Sequence, residues 1–102
     1  METPDRWVIL RINSEKPFYK VLCSWGGSYI YGPSWRMNSG IDSIEEDKHY
    51  WYFVGASGSI YKCNKEANTL SATISEVYSQ LKELYGDLVE LVEGDDWMEN
   101  VG

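Results

Sequence analysis

The sequence has little of what metal sites and most hydrolytic active sites require. Its single histidine is His49, and its two cysteines, Cys23 and Cys63, match no metal-binding spacing. Because protein metal sites draw on clusters of such residues, we expect no metal and no other cofactor. A Ser-His-Asp arrangement would need His49 as its base, and no pattern marks a nucleophile. These absences disfavour an enzyme, although the paired carboxylates Glu45-Glu46 and Asp95-Asp96 leave acid–base chemistry open.

Long apolar runs are missing as well. No stretch approaches the roughly 18 apolar residues that a membrane-spanning helix needs. Residues 1–6 lack the basic region and apolar core of a secretory signal, so we expect a cytoplasmic protein. In that compartment Cys23 and Cys63 are expected to be free thiols. The length of 102 residues predicts one domain, 1–102.

Basic residues are nearly absent from the C-terminal quarter of the chain. Residues 1–75 hold eight basic and eight acidic residues, whereas residues 76–102 hold eight acidic residues against Lys82 alone. The sum there, −8 + 1 = −7, equals the net charge of the whole chain. Nucleic-acid binding needs cations that neutralise phosphates, so we expect none. A protein partner with a basic surface fits better, and solubility alone is the alternative explanation.

What the sequence does hold is a dense aromatic run with its own turn. Residues 50–54 and 60–63 are rich in aromatic and β-branched residues, which favour strands. A two-residue loop at Ser57-Gly58 would place Phe53 opposite Lys62. A three-residue loop at 56–58 instead pairs Phe53 with Tyr61, and it segregates the side chains better between the two faces of the hairpin. We therefore predict the second register. Its inner face holds Trp51, Phe53, Tyr61 and Cys63, and its outer face holds Tyr50, Tyr52, Val54, Ile60 and Lys62.

Other segments indicate further strands. Residues 6–12 carry apolar side chains on both faces, which is typical of a central strand. Residues 18–25 predict a second strand, with Gly26-Gly27 as a two-residue hairpin turn, residues 28–31 returning and Gly32-Pro33 ending the return. Residues 34–38 predict an edge strand or an ordered loop. Residues 41–45 and 88–92 predict two further strands.

One helix is indicated by apolar residues spaced four, three, four and three apart. These residues are Leu70, Ile74, Val77, Leu81 and Leu84. Asn68 or Thr69 could cap an early start and Thr73 with Glu76 a later one, while Gly86 fits the end. We predict an α+β fold, in which this helix packs on one face of a curved antiparallel meander of about six strands. The inner face of the aromatic hairpin is the expected packing surface, and an acidic tail follows at about 94–102.

The aromatic content exceeds what one core of this size can hide. The chain has five Trp, eight Tyr and two Phe. The candidates for an exposed cluster are Trp25, Tyr29, Tyr31, Trp35, Tyr50 and Tyr52. Tyr and Trp are enriched at protein interfaces, where they bury a large area. We therefore predict that exposed aromatics and acids bind a partner. The predicted partner-binding residues are Glu90, Glu93, Asp95, Asp96, Trp97, Glu99, Tyr50 and Tyr52.

Three segments resemble a family of small phage and prophage proteins. They are residues 24–27 (SWGG), 34–41 (SWRMNSGI) and 57–63 (SGSIYKC). The resemblance implies an accessory protein of a mobile element that acts on host machinery. The leading hypothesis is thus a non-enzymatic protein-binding module, such as an inhibitor of a host or defence factor. A glycan or small-ligand binder using exposed Trp and Tyr is the first alternative, and an enzyme with a deep polar cleft is the second.

Overall fold

The computed structural model describes residues 1–28, 32–94 and 97. Within these residues the chain forms seven strands and one α-helix. The strands are β1 (Arg6–Ile12), β2 (Phe18–Ser28), β3 (Gly32–Met37), β4 (Ile41–Glu46), β5 (Tyr50–Gly55), β6 (Ile60–Asn64) and β7 (Val89–Val92). The helix α1 spans Ala72–Tyr85, and single 3-10 turns lie at Lys65–Ala67 and Gly86–Leu88. The predicted α+β class is confirmed.

The strands form two antiparallel sheets rather than one meander. The four-stranded sheet has the order β3-β2-β1-β7, and the three-stranded sheet has the order β4-β5-β6. Three layers result, with α1 on one face of the four-stranded sheet and the three-stranded sheet on the other. Strand β1 is central, as predicted. Trp7 and Ile9 face the other sheet, whereas Val8 and Leu10 face the helix.

The aromatic hairpin β5–β6 has the predicted register. Phe53 pairs with Tyr61, and Trp51 pairs with Cys63. The loop closes where the Gly55 N–H donates to the Ser59 carbonyl at 2.8 Å, and Gly58 has a φ of 91°. Glycine adopts this left-handed conformation without the steric cost that other residues meet. Because Phe53 and Tyr61 are paired, their side chains lie on the same face of the hairpin, and both point into the core.

The separation into two sheets depends on the connection between β3 and β4. The buried Asn38 follows β3, and its Oδ1 accepts a hydrogen bond from the Val21 N–H at 2.9 Å. Its own N–H donates to the Val21 carbonyl at 3.2 Å. At Gly40, with a φ of 144°, an added Cβ would lie 3.4 Å from the Phe18 ring. The chain is thus held against β2 and turns into the second layer, instead of continuing the meander.

The turn predicted at Gly26-Gly27 is wrong. Strand β2 continues through both glycines to Ser28, with an irregular register between Trp25 and Ser28. Gly27 has a φ of 77°, and an added Cβ there would meet the Gly32 carbonyl oxygen at 1.5 Å. The glycines therefore allow close strand approach at a bulge. Gly32-Pro33 begins β3, an edge strand where proline is tolerated, and the predicted return at 29–31 lies outside the described residues.

Helix α1 begins and packs differently from the prediction. Its N-cap is Ser71, whose Oγ accepts the Ile74 N–H at 3.1 Å, so neither Asn68, Thr69 nor Thr73 caps it. Gly86 is the C-cap, as predicted. The packing surface is the face of the four-stranded sheet formed by Val8, Leu10, Leu22 and Val89, so the prediction of the hairpin's inner face was wrong. That inner face is already covered by the other side of the four-stranded sheet.

Only part of the predicted helix stripe is buried. Ile74 and Val77 are buried and Leu81 packs against them, but Leu70 is 46% exposed and Leu84 is 74% exposed. Leu70 precedes the helix. Leu84 lies in the last turn of α1 and only about 20° around the helix axis from the buried Val77, at 100° per residue. Its exposure therefore follows from its position along the helix and not from its angle around the axis.

The two cysteines lie in the core between the sheets. Cys23 and Cys63 are buried free thiols, in agreement with the prediction. Burial raises the pKa of Cys23 to about 12 and also raises the pKa of Cys63, since an apolar environment disfavours the thiolate. The thiolate is the reactive form, so both groups are poor nucleophiles in the folded protein.

Truncation of single side chains in α1 should distinguish buried positions from exposed ones. We expect Ile74→Ala to lower the free energy of unfolding by about 2–5 kcal/mol, as buried isoleucines do. Leu84→Ala is the matched control, with an expected change within about 0.5 kcal/mol for an exposed site. Urea denaturation followed by circular dichroism measures both. Equal losses in the two variants would contradict the packing described above.

Thiol reactivity should depend on folding. In reductant-free buffer at about pH 8, near the usual cysteine pKa, we expect Ellman's reagent to modify the native protein slowly. After denaturation it should find both thiols. Rapid modification of the native protein, or fewer than two thiols after unfolding, would show that the cysteines are accessible or oxidised.

Candidate partner-binding surface

The predicted partner-binding residues are divided among separate places. Glu90 lies in β7 and Glu93 just after it, both exposed. Tyr50 and Tyr52 lie on the outer face of the three-stranded sheet, which points away from the other sheet. Asp95, Asp96 and Glu99 lie outside the described residues. The predicted acids and tyrosines therefore do not form one continuous surface within the described part of the chain.

Trp97 lies in the core and not on the surface. It is fully buried, and its ring centroid lies 5.1 Å from that of Trp51, 5.2 Å from Phe53 and 6.4 Å from Trp7. All three pairs meet edge to face, an arrangement that stabilises aromatic clusters beyond their buried area. The prediction of Trp97 as an exposed anchor was therefore wrong, because the space between the sheets takes up this ring despite its acidic sequence neighbours.

The outer face of the aromatic hairpin is internally paired. Tyr52 donates its hydroxyl hydrogen bond to Asp47 Oδ2 at 2.7 Å, and Lys62 Nζ lies 4.3 Å from the Tyr50 ring centroid. The hydrogen bond from Tyr52 is the main cause that lowers the pKa of Asp47, and it raises the pKa of Tyr52. Lys62 thus covers an aromatic ring that a ligand would otherwise use for stacking.

Of the other predicted exposed aromatics, Trp35 is 47% exposed and Trp25 is half-buried. The Trp25 indole N–H donates to the Thr3 carbonyl at 3.0 Å, which holds the N-terminal segment against β2. Tyr29 and Tyr31 lie outside the described residues. No exposed cluster of these aromatics is formed by the residues that the structure describes.

Strand β7 is an edge strand, and three of its outward backbone groups are occupied by α1 and the turn after it. The Val89 carbonyl accepts a hydrogen bond from Lys82 Nζ at 3.0 Å, and the Leu91 N–H donates to the Tyr78 hydroxyl at 3.2 Å. The Val89 N–H donates to the Gly86 carbonyl. A partner strand would have to displace these bonds, so this edge is poorly suited to strand addition.

Exposed carboxylates lie at the C-terminal end of α1 and in the segment that follows it. They are Glu83 in the helix, Asp87 in the turn after it and Glu90 in β7. In the described part of the chain the ion pairs involve other residues, Arg36 with Glu2 and Lys65 with Glu46. The nearby Lys82 uses its ammonium group on the Val89 carbonyl. These carboxylates therefore form no ion pair within the described residues, and Arg11 is the cation opposite Glu90 in the pairing of β1 with β7.

Three apolar side chains are exposed among these carboxylates. Leu84 is 74% exposed, Tyr85 54% and Leu88 39%. We call the set of Glu83, Leu84, Tyr85, Asp87, Leu88 and Glu90 the acidic–apolar surface. Sequence reasoning missed its apolar part, because Leu84 was assigned to the buried stripe. The adjacent pair Leu84-Tyr85 was the available signal, since neighbouring helix residues point about 100° apart and seldom share one buried face.

The acidic–apolar surface rests on rigid elements. Asn13 Nδ2 donates to the Asp87 carbonyl at 3.0 Å and to Glu90 Oε2 at 3.3 Å. The Asn13 N–H also donates to the Leu88 carbonyl at 2.7 Å. The turn after α1 is thus fixed to the end of β1, so the exposed side chains keep a defined spacing.

Comparison with protein-family models, with curated proteins and with solved structures found no match for this chain. Among the described residues no helix combines the length and apolar character needed to cross a membrane. The same residues contain no group of three or more His, Cys, Asp or Glu side chains placed to hold a metal ion.

Removal of the Tyr78 hydroxyl should expose the β7 edge. We expect Tyr78→Phe to accelerate hydrogen–deuterium exchange of the Leu91 amide and to lower the free energy of unfolding by about 1 kcal/mol, the usual contribution of one hydrogen bond. Tyr85→Phe makes the same chemical change at an exposed position and serves as control. Unchanged exchange at Leu91 in the first variant would show that the hydroxyl does not protect this edge.

Proposed function

We propose that this protein is a non-enzymatic protein-binding module and that the acidic–apolar surface binds a partner with a basic surface. The observation that carries the proposal is the exposure of Leu84, Tyr85 and Leu88 among carboxylates that form no ion pair within the described residues. This surface replaces Trp97, Tyr50 and Tyr52 as the proposed site of partner binding.

The composition of the surface agrees with how protein interfaces are built. Binding energy concentrates in a few apolar or aromatic side chains at the centre of an interface, with polar groups at its rim. Tyr85 and Leu88 supply such a centre, and the exposed Asp87, which lies between them in sequence, supplies part of the rim. Carboxylates at the rim mainly raise the rate of association with a basic partner, and salt screens this effect.

The glycan and small-ligand alternative has less support. It would use aromatic rings open for stacking, but Lys62 lies over Tyr50, and Tyr52 is hydrogen-bonded to Asp47. An open sheet face with paired side chains favours protein contact over a pocket for a small ligand. The resemblance to phage and prophage proteins extends the proposal to a cytoplasmic host or defence factor as the partner, whose activity this protein would inhibit.

A charge-neutral triple variant tests the proposal. Glu83→Gln, Asp87→Asn and Glu90→Gln keep side-chain size and the acceptor for Asn13 but remove three charges. Wild type and variant serve as parallel baits in a lysate of the producing cells, and quantitative mass spectrometry compares the captured proteins. For a captured basic partner, surface plasmon resonance at several salt concentrations should show an association rate at least about tenfold lower for the variant at low salt.

The matched control is Asp42→Asn, Glu45→Gln and Glu66→Gln, three exposed carboxylates elsewhere on the molecule. It changes the net charge equally, so it should retain the partner and lose little association rate. If both triple variants bind alike, the overall charge and not the acidic–apolar surface governs binding, and the proposal fails.

A further inference from the structure

An apolar groove lies between the C-terminal end of α1 and the four-stranded sheet, and it has a volume of about 260 Å³. The strands and the helix side both contribute apolar lining residues, which include Leu10, Phe18, Met37, Leu81, Tyr85 and Leu88. Among the described residues that line the groove, Lys20 of β2 alone carries a charge.

Lys20 lies on the face of β2 that is turned towards α1. It pairs with Leu10 of β1, and Leu22 follows it on the same face two residues later. Leu10 and Leu22 are fully buried under the helix, whereas Lys20 is half-buried beside them. Burial of a charged group is costly unless the group is paired, so a lysine at this position calls for an anion. The alternative is that its aliphatic stem only covers the sheet while the ammonium group reaches water.

The ammonium group of Lys20 has no carboxylate partner in the described part of the chain. The ion pairs found there are formed by Arg36 and Lys65. The Lys20 Nζ lies 5.9 Å from the centroid of the Phe18 ring, at the outer limit of a cation–π contact. An ammonium group has three N–H donors, and Lys20 can therefore offer them to an acceptor that enters the groove.

The dimensions and the lining of the groove suit one alkyl chain. Pockets for drug-sized ligands measure roughly 300–1,000 Å³, and this groove is smaller. Its wall residues Phe18, Tyr85 and Leu88 are all more than one third exposed, so the groove is open to solvent. Ligand sites are mostly apolar, with a few polar groups that orient the ligand. Lys20 is the charged group that supplies this orientation here.

We propose that this groove binds a medium-chain aliphatic carboxylate, the anion of a fatty acid. The alkyl chain lies against Met37 and Leu81, and the carboxylate accepts a charge-assisted hydrogen bond from Lys20 Nζ. An alcohol of the same length lacks the charge for this bond, and an alkylammonium ion is repelled. This ligand site goes beyond the proposed function and uses none of the carboxylates on which that function depends.

A comparison of ligands on the wild-type protein tests the proposal without any variant. Octanoate, octanol and octylammonium are each added below the concentration at which they form micelles. The salt concentration is about 0.15 M, which screens charges more than about 8 Å away. Methyl resonances of Met37, Leu81 and Leu10 report binding in the groove. We expect octanoate to bind most tightly and octylammonium most weakly, and octanoate to bind up to about fourfold more tightly than hexanoate for each added methylene.

A charge reversal at Lys20 should invert this preference. We expect Lys20→Glu to weaken octanoate binding at least about fivefold, because a near-surface ion pair of modest strength becomes a repulsion, and to strengthen octylammonium binding. Lys48→Glu is the matched control, since Lys48 is exposed, lies outside the groove and changes the net charge equally. This control should bind both ligands like wild type.

Four results would overturn the proposal. Equal affinity of the wild type for octanoate and octanol would show that Lys20 does not recognise the ligand. Equal changes in Lys20→Glu and Lys48→Glu would assign the effect to net charge. Octanoate shifts confined to methyl groups outside the groove would place the ligand elsewhere. Groove resonances that shift with protein concentration alone, together with a dimer in analytical ultracentrifugation, would place a second copy of the chain in the groove.

Discussion

Strand β1 is covered on both of its faces, and both cores of the protein are built on it. Trp7 and Ile9 are fully buried against the three-stranded sheet, while Leu10 is fully buried under α1. Full burial of one such side chain stabilises the fold by about 1.5–3 kcal/mol. The Trp7 indole N–H donates to the Asn64 carbonyl at 2.7 Å, so its polar group is also satisfied across the two sheets. A strand of this composition is stable only with cover on both sides, which requires three layers.

Two small sheets expose four edge strands, and each edge is protected differently. The edge of β6 is paired with Glu2, whose N–H donates to the Ile60 carbonyl at 2.9 Å, and the edge of β7 is covered by α1. Strand β4 carries exposed acids, and β3 begins with Gly32-Pro33. Charge and proline both discourage pairing with another chain. The acids on β4 therefore have a structural explanation, which does not extend to Glu83, because that residue lies on a helix.

Local sequence patterns predicted the register of the β5–β6 hairpin and the central position of β1, because alternate residues of a strand lie on the same face of the sheet. They could not show the division into two sheets, which depends on hydrogen bonds between Asn38 and Val21, far apart in sequence. Gly26-Gly27 fits a hairpin turn and a bulge equally well until the partner strand is known. The acidic neighbours of Trp97 suggested a surface position, but the space left between two sheets decided its burial. Of the residues in the acidic–apolar surface, the sequence predicted only Glu90 as a binding residue.

Several of the aromatic residues no longer argue for an interface, because they lie in the core. Trp7, Trp51, Phe53 and Trp97 pack on one another between the sheets, so the apolar area of these four rings stabilises the fold. Leu84, Tyr85 and Leu88 are different, because their exposure contributes little to folding. They stand on the last turn of α1 and on the turn after it, which Asn13 ties to β1, so their backbone is already ordered before any contact forms. Binding there would cost less conformational entropy than binding through a flexible segment, and this preorganisation lets a small apolar centre support a specific complex.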